Sequence, residues 1–530
     1  MNAIFAAARA DFRQRVRSFR FIVVLMATLL ACAYMLPTID AGYSVMQLGN
    51  ARGWFNSAWI GFVFGTVGAA ILPLLGFYLV KDSVQRDRDT RVGALLAASP
   101  MSTLGYVGAK FLSNFAVLAS VLGVATLMAP FMQWWRAEDL AINPLVIAAH
   151  VALIAGPSLL VVSALAVLFE CLPLLRGAIG NVVYFFLWAA VLSVGMAGPD
   201  RMREGAQGPM FERSADPLGI STPLADFESR LDREVPGHPR TLAVGVNVGQ
   251  HIDHRIAWSG MLGDAAWMSG RLAWAFACLP FLLAAAFFFD RFDPARRVRR
   301  VAADAVPAEI GDGAPPTSNW HALTPLARRG AGWRPLALVA AEWRLLLKRQ
   351  RWWWYAGVAG AWIAAATVPI ANAVAIVVPI AWFWALTRWS HLGARAPMHD
   401  MVRLLASAPA PVLRQLPTQW LAATLMGPAL VLPLVVRLLG EGAWSVVAQM
   451  IVGSGFVAAL ALATGAASRG PRLFEMLFLM LFYASLQKVP GAAFGGVYDL
   501  AFTASSAPTY LMIAALLLSF AAALRGRATA

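Results

Sequence analysis

Between two long apolar runs, Ala58–Val80 and Phe111–Phe131, the chain reads Arg86-Asp87-Arg88-Asp89-Thr90-Arg91-Val92-Gly93-Ala94-Leu95-Leu96-Ala97-Ala98-Ser99-Pro100. Each flanking run supplies the ~20 apolar residues that a helix needs to cross a bilayer core. The stretch from Phe77 to Lys110 is too long and too charged for a simple turn. It predicts a short charged helix that leaves the membrane and turns back. Pro100 ends that helix, and Ser102 or Thr103 can cap the next.

Working outward, apolar runs recur at Phe21–Pro37, Val146–Phe169, Ala178–Ala197 and Trp267–Phe289. The second half adds Trp352–Thr367, Asn372–Leu386, Leu421–Val436, Trp444–Ala466, Leu473–Leu486 and Pro508–Leu524. Trp352–Thr367 and Asn372–Leu386 read as a tight hairpin, turned at Pro369 and Asn372. The expected fold is an all-α polytopic membrane protein of about twelve transmembrane helices.

Composition agrees. Of 530 residues, 59% are hydrophobic and 13% charged, with mean hydropathy +0.64. Soluble domains have roughly 45–50% and about 25%. These values exclude a disordered chain, a disulfide scaffold and a collagen-like rod. Cys32, Cys171 and Cys278 are scattered in apolar segments and make no metal set. The net charge of +15 invites a nucleic-acid partner. Twelve spans with both termini inside place 31 Lys+Arg and 13 Asp+Glu in cytoplasmic segments, against 12 and 15 outside. The excess is thus a positive-inside signal, and no nucleic acid is expected. The first apolar run follows 20 residues that include Asp11 and an arginine stripe, too long a leader for a cleaved signal peptide.

The chain divides into residues 1–290, a linker at 291–334 rich in Ala, Pro and Gly, and residues 335–530. The outer parts look like two copies of one six-span unit. Each opens with a basic amphipathic helix suited to the membrane interface. In the first, Phe5, Ala8, Phe12, Val16 and Phe19 lie opposite Arg9, Arg13, Arg17 and Arg20. In the second, Leu336, Val339, Trp343, Leu347 and Gln350 lie opposite Arg344, Lys348 and Arg351. Asp11-Phe12 aligns with Glu342-Trp343, and Pro73 with Pro379. The charged segment has its counterpart in Arg403-Leu404-Leu405-Ala406-Ser407-Ala408-Pro409. Each half also has a long external segment before its last span, at 198–266 and 487–507. In the first of these, Leu224, Phe227 and Leu231 predict a short amphipathic helix.

These landmarks resemble the type-2 ABC transporter permease family, the membrane subunit of bacterial exporters. The series Gly93, Leu95-Leu96, Ser99-Pro100, Ser102, Tyr106, Gly108 and Lys110 carries the likeness most strongly. The second copy keeps only Asp400, Arg403, the leucine pair and Pro409. The resemblance implies a permease of the bacterial cytoplasmic membrane that exports a peptide, drug, lipid or other amphiphile. It implies docking of a separate ATPase subunit, in two copies, on coupling helices formed by Arg86, Asp87, Arg88, Asp89, Arg91, Leu95, Leu96, Ser99, Pro100 and Lys110, and by Arg403, Leu404, Leu405 and Pro409. ATP and Mg are expected in that partner and no cofactor in this chain.

No Gly-x-x-x-x-Gly-Lys-Ser/Thr run occurs; Gly105-Tyr106-Val107-Gly108-Ala109-Lys110 is a superficial near-miss. An ion-coupled carrier of the major-facilitator type is the alternative, yet ionisable residues such as Lys81, Glu170, Asp290 and Glu475 cluster near cytoplasmic span ends. His150 reads as interfacial. His251 and His254 lack enough companions for a metal, His238 being the one other histidine nearby, so no metal site is expected. A membrane enzyme is a weaker reading: Asp40, Glu138 and Asp139 are external acids without a nucleophile–base constellation. Trp134-Trp135, Trp352-Trp353-Trp354, Trp382 and Trp384 fit interfacial belts.

Overall fold

The computed structural model describes residues 2–38, 43–136, 138–196, 216–239, 241–248, 252–292, 335–348, 350, 352–398, 401, 404–405, 407, 410–486 and 507–529. Residues 293–334, expected as the linker, the segment 197–215 and residues 487–506, expected to be external, lie outside them. Helix α1 (Asn2–Val16) meets α2 (Phe19–Tyr34) at Ser18, whose hydroxyl caps α2 by accepting the Phe21 N–H. Strands β1 (Tyr43–Leu48) and β2 (Ala51–Gly53) precede α3 (Ser57–Val80), which Asn56 caps. Then come α4 (Ser83–Asp89), α5 (Val92–Ala98), α6 (Thr103–Arg136), α7 (Pro144–Cys171) and α8 (Ala178–Met196). Helix α9 (Ser221–Glu234), strands β3 (Leu242–Val248) and β4 (His254–Ile256), and α10 (Ala265–Phe288) follow.

Beyond the linker are α11 (Pro335–Leu347), α12 (Trp352–Thr367) and α13 (Ile370–Trp389). A π turn at Ala373–Val377 interrupts α13 just ahead of Pro379, which has no N–H to give to a regular helix. The chain continues through α14 (Pro411–Ala429), α15 (Leu432–Gly440), α16 (Trp444–Ser468), α17 (Arg472–Leu486) and α18 (Ala507–Thr529). The protein is mostly helical and membrane-embedded.

The expected span count needs correction. Among the described residues, seven helices are long and apolar enough to cross a membrane, or up to nine if each of two bent pairs is one span. The bent pairs are α1–α2 and α14–α15. In the latter, the run expected at Leu421–Val436 is broken by a 74° bend, between Pro428 and Pro433. Helices α12 and α17 have 16 and 15 residues. At 1.5 Å per residue they reach roughly 24 and 22 Å, short of the ~30 Å hydrocarbon core. The apolar part of α8 is likewise short. Apolar length in the sequence therefore exceeded helix length in the fold.

The hairpin reading is met by α12 and α13. Trp384 Nε1 donates to the Trp354 carbonyl, two positions equally far from Pro369. Asn372 lies inside the helix rather than in the turn. Trp352 is 80% exposed, as a belt residue would be, but Trp354 and Trp382 are buried in the core.

Helices α3 and α7 form the centre of the first half. A side chain at Gly61 would meet His150 Cβ at 2.9 Å, and one at Gly65 would meet Ile154 Cβ at 3.0 Å. The small-residue spacing lets the two backbones approach closely. His150, expected at an interface, lies inside the protein near the sheet end of α7. It is fully buried, its Nδ1 is 2.8 Å from the Val146 carbonyl, and its Nε2 accepts the Met261 N–H.

At one end of this bundle the loops build a four-stranded sheet, ordered β3-β1-β2-β4, which the all-α expectation did not include. Residues 43–53 thus pair with 242–256, and Arg52 grips Glu138 with both guanidinium nitrogens. The Phe55 N–H also donates to Glu138. Burial pushes the Glu138 carboxyl up, but Arg52, the Phe55 amide and Arg255 outweigh it and hold the group below the usual carboxylate range. Glu138 is a clamp between loops, not a free acid; Asp40 lies outside the described residues.

The halves meet where α3 and α8 face α13 and α17. Phe185, Phe383 and Phe482 form one aromatic cluster with centroids 5.3–6.1 Å apart. Nearer the opposite end, Asn181 donates to Glu475 at 2.6 Å and accepts from Lys81 at 2.5 Å.

Candidate functional site

The charged segment singled out above folds as two seven-residue helices, α4 and α5, at the end opposite the sheet. Both begin at residues in the left-handed region, Asp82 (φ 76°) and Arg91 (φ 60°). For an L-residue this costs roughly 1–2 kcal/mol each. Glu170, near the end of α7, offsets that cost. Its two carboxylate oxygens accept the backbone N–H groups of Asp82, Ser83, Val84 and Gln85 at 2.6–3.0 Å, and the Ser83 hydroxyl as well. Those are the four donors that a helix start leaves without a partner. Arg176 serves the other direction, donating to the Glu170 and Cys171 carbonyls that end α7.

A buried ionic cluster holds α4 from its other face. Lys110 on α6 sits between Asp87 (2.9 Å) and Asp11 of α1 (3.2 Å). The Tyr106 hydroxyl donates to Asp87 at 2.7 Å, and the Ser113 hydroxyl to Asp11 at 2.7 Å. Arg15, also buried, pairs with Asp11 and donates to Asn114 and to the Val80 carbonyl. The inward face of α1 is therefore Ala8, Asp11 and Arg15, while Phe5, Arg13 and Arg17 are exposed and Phe12 and Val16 are half-buried. In the second half Glu342 of α11 plays a comparable part, bonding Arg395 and Gln419 of α14; Trp343 is half-buried, and Arg344 and Lys348 are exposed.

The chain leaving α10 closes the site. Arg88 pairs with Asp290 at 2.7 Å, and Arg176 reaches the same carboxylate at 3.3 Å. Burial raises the Asp290 carboxyl, but these two arginines outweigh it and hold it below its ordinary range. The Phe292 ring lies on Gly93, where any Cβ would come within 2.7 Å of it. This accounts for a glycine at that point. Arg291 donates to the Ser99 and Met101 carbonyls as α5 ends, and Ser102 caps α6 by accepting the Gly105 N–H.

The residues expected to dock a partner thus separate into two groups. Asp87, Arg88 and Lys110 face inward and hold the segment in place, a correction to their reading as a contact surface. Arg86 is half-buried and bonds Gln14; Leu96 and Ser99 are half-buried. Asp89, Arg91, Leu95 and Pro100 face out, with Leu95 74% and Val92 42% exposed. In the second segment Leu404 is 64% exposed and Leu405 half-buried, while Arg403 and Pro409 lie outside the described residues. Sequence reasoning missed Glu170, Asp11, Arg15 and Asp290 as anchors. A single acid at the tip of an otherwise apolar run was the available signal.

Beside α4 lies a cleft of about 440 Å³, within the range of small-molecule sites. It opens between the α1–α2 corner, the end of α3 and the α16–α17 corner of the other half. Arg15, Lys81, Arg86, Arg469 and Arg472 line it, against Asp82 and Asp89, so its wall is basic. Phe19, Phe21 and Leu79 supply an apolar side.

No protein-family model matches the chain, and no curated protein and no solved structure shows significant similarity to it.

Proposed function

We propose that the chain is the membrane permease subunit of an ATP-driven ABC exporter, built of two related halves and working with a separate ATPase subunit in two copies. One observation carries the reading: α4–α5 is firmly moored yet presents Val92, Leu95 and Pro100 outward. A segment that transmits force needs both features: rigid attachment to the spans and an apolar tip for a partner's groove. By the positive-inside rule this end faces the cytoplasm, where ATP is. ATP and Mg then belong to the partner. The similar placement of Asp11 and Glu342, each bonding the helix that follows its charged segment, supports the two-half reading. The basic, partly apolar cleft between the halves suits an amphiphilic cargo with an acidic head.

Co-purification tests this. Leu95→Asp with Arg91→Glu changes exposed residues only, so the fold should survive while the ATPase is lost. Undiminished co-purification of a correctly folded double variant refutes the docking role. Activity of the isolated chain as an ATPase refutes the subunit reading.

A second reading rests on the buried Lys81–Asn181–Glu475 chain between the halves, the kind of polar path an ion-coupled carrier of the major-facilitator type uses. Transport driven by a proton gradient without ATP would select it.

A further inference from the structure

At the sheet end, α9 carries Glu228 and Asp232 one turn apart on the same face. The adjoining face buries Leu224, Phe227 and Leu231, with Glu228 buried at its margin, and Phe227 packs on Trp59 at the start of α3. The helix ends at Glu234. The chain then turns through Gly237, whose φ of +83° allows the reversal, and brings His238 back against α9. The His238 side chain is completely enclosed.

The ring's hydrogen bonding defines its chemistry. Nδ1 lies 2.9 Å from the Pro239 carbonyl, which can only accept, so Nδ1 carries the hydrogen. In the neutral ring Nε2 then presents a lone pair. It faces Asp232 Oδ1 at 3.1 Å, and an oxygen of Glu228 lies in the same cluster, all three atoms within 4.8 Å of one another. A lone pair facing carboxylates is repulsive unless a proton or a metal cation lies between them. A histidine whose other nitrogen is fixed by a backbone carbonyl is the usual arrangement of a metal ligand.

We propose that Glu228, Asp232 and His238 bind one divalent transition-metal ion, with zinc or manganese the chemical class. One imidazole and two carboxylates suit these ions. Ligands at ~2.0–2.2 Å in a tetrahedral set stand a little over 3 Å apart, close to the observed nitrogen–oxygen separation. Asp232 is half-exposed, so solvent can complete the set. The ion would tie the turn after α9 to the helix. Through Pro239, whose carbonyl lies where a Gly49 side chain would be, it would also fix the β1–β2 hairpin. This site does not depend on the transport reading.

The test uses the full chain in detergent without a histidine tag, stripped with chelator and titrated with Zn²⁺ and Mn²⁺ by calorimetry, with metal content measured after dialysis. About one ion per chain is expected, with a rise in Tm. Asp232→Asn, at a half-exposed position, should weaken binding at least tenfold and abolish the Tm rise. His238→Gln should do the same; if it fails to fold, Asp232→Asn decides. No saturable binding by the wild-type chain, or equal binding by a folded Asp232→Asn variant, overturns the site and leaves a protonated His238–Asp232 ion pair.

Discussion

Replacing Glu170 by Gln tests the mooring of α4 directly. The carboxylate accepts four backbone N–H groups, two on each oxygen. The amide keeps one oxygen and turns an NH₂ toward the other two donors. Two charge-assisted hydrogen bonds are lost, each worth ~1.5–3 kcal/mol, so the local cost is about 3–6 kcal/mol. A seven-residue helix at the edge of the fold cannot sustain that cost. It opens instead, and opening caps the loss. A 3 kcal/mol change is roughly 150-fold in an equilibrium constant. Hydrogen exchange of residues 82–98 should therefore accelerate by about two orders of magnitude, while α3 and the middle of α7 keep their protection. Glu170→Asp, one methylene shorter, should fall between. If exchange at 82–86 is unchanged in the Gln variant, the carboxylate does not hold α4, and the proposed transmission of force from α4 to α7 fails with it.

Other contacts give shorter tests. Gly465→Ala should destabilise by about 1–3 kcal/mol, read as a lower Tm, because the new Cβ would come within 2.6–2.8 Å of the Gly393–Ala394 backbone, which has no side chain to rotate away. Lys110→Met should lower stability by about 3–5 kcal/mol by leaving Asp11 and Asp87 buried without their shared cation; an Asp87→Asn/Lys110→Met pair should be less damaged than the single change in a double-mutant cycle of Tm values. Glu138 has a lowered folded pKa, so its contribution is complete above the unfolded value near 4.5 and is lost as pH falls through the folded value. The Tm difference between wild type and Glu138→Gln should be constant above about pH 5 and shrink below pH 4.5, measured by a pH series; a difference that grows on acidification refutes the clamp.

The features legible in the sequence are those set by short-range rules. The charged break between α3 and α6, the Pro100 stop and the Ser102 cap follow from local chemistry, and the fold places them as expected. So does the helix at Leu224, Phe227 and Leu231. What misled was the equation of apolar length with span length. In water-excluding surroundings a run such as Leu421–Val436 stays apolar whether it crosses straight or bends at Val431, and hydropathy does not see the bend. The sheet was hidden because its strands come from loops some 200 residues apart, and a three-residue strand such as Ala51–Gly53 has no periodicity to read.

Lys81, Glu170 and Glu475 were read only as ionisable groups near span ends, and Asp87 and Lys110 as a docking surface, and this obscured what they do. Lys81, Asp87, Lys110, Glu170 and Glu475 are all buried. A buried charge is costly unless paired, so each such residue fixes the position of its partners more sharply than apolar contact does. Their partners lie on α1, α4, α6 and α8, and Arg88 of α4 pairs with Asp290 in the chain after α10. A push on Leu95 therefore cannot move α4 alone while these pairs hold. It must carry the ends of α6 and α7 with it or break a pair. The proposed coupling role needs that requirement, and a solvated loop would not meet it. It also predicts that the variants which uncouple a bound partner without unfolding the spans will fall at Glu170 and Asp290 rather than among the exposed arginines.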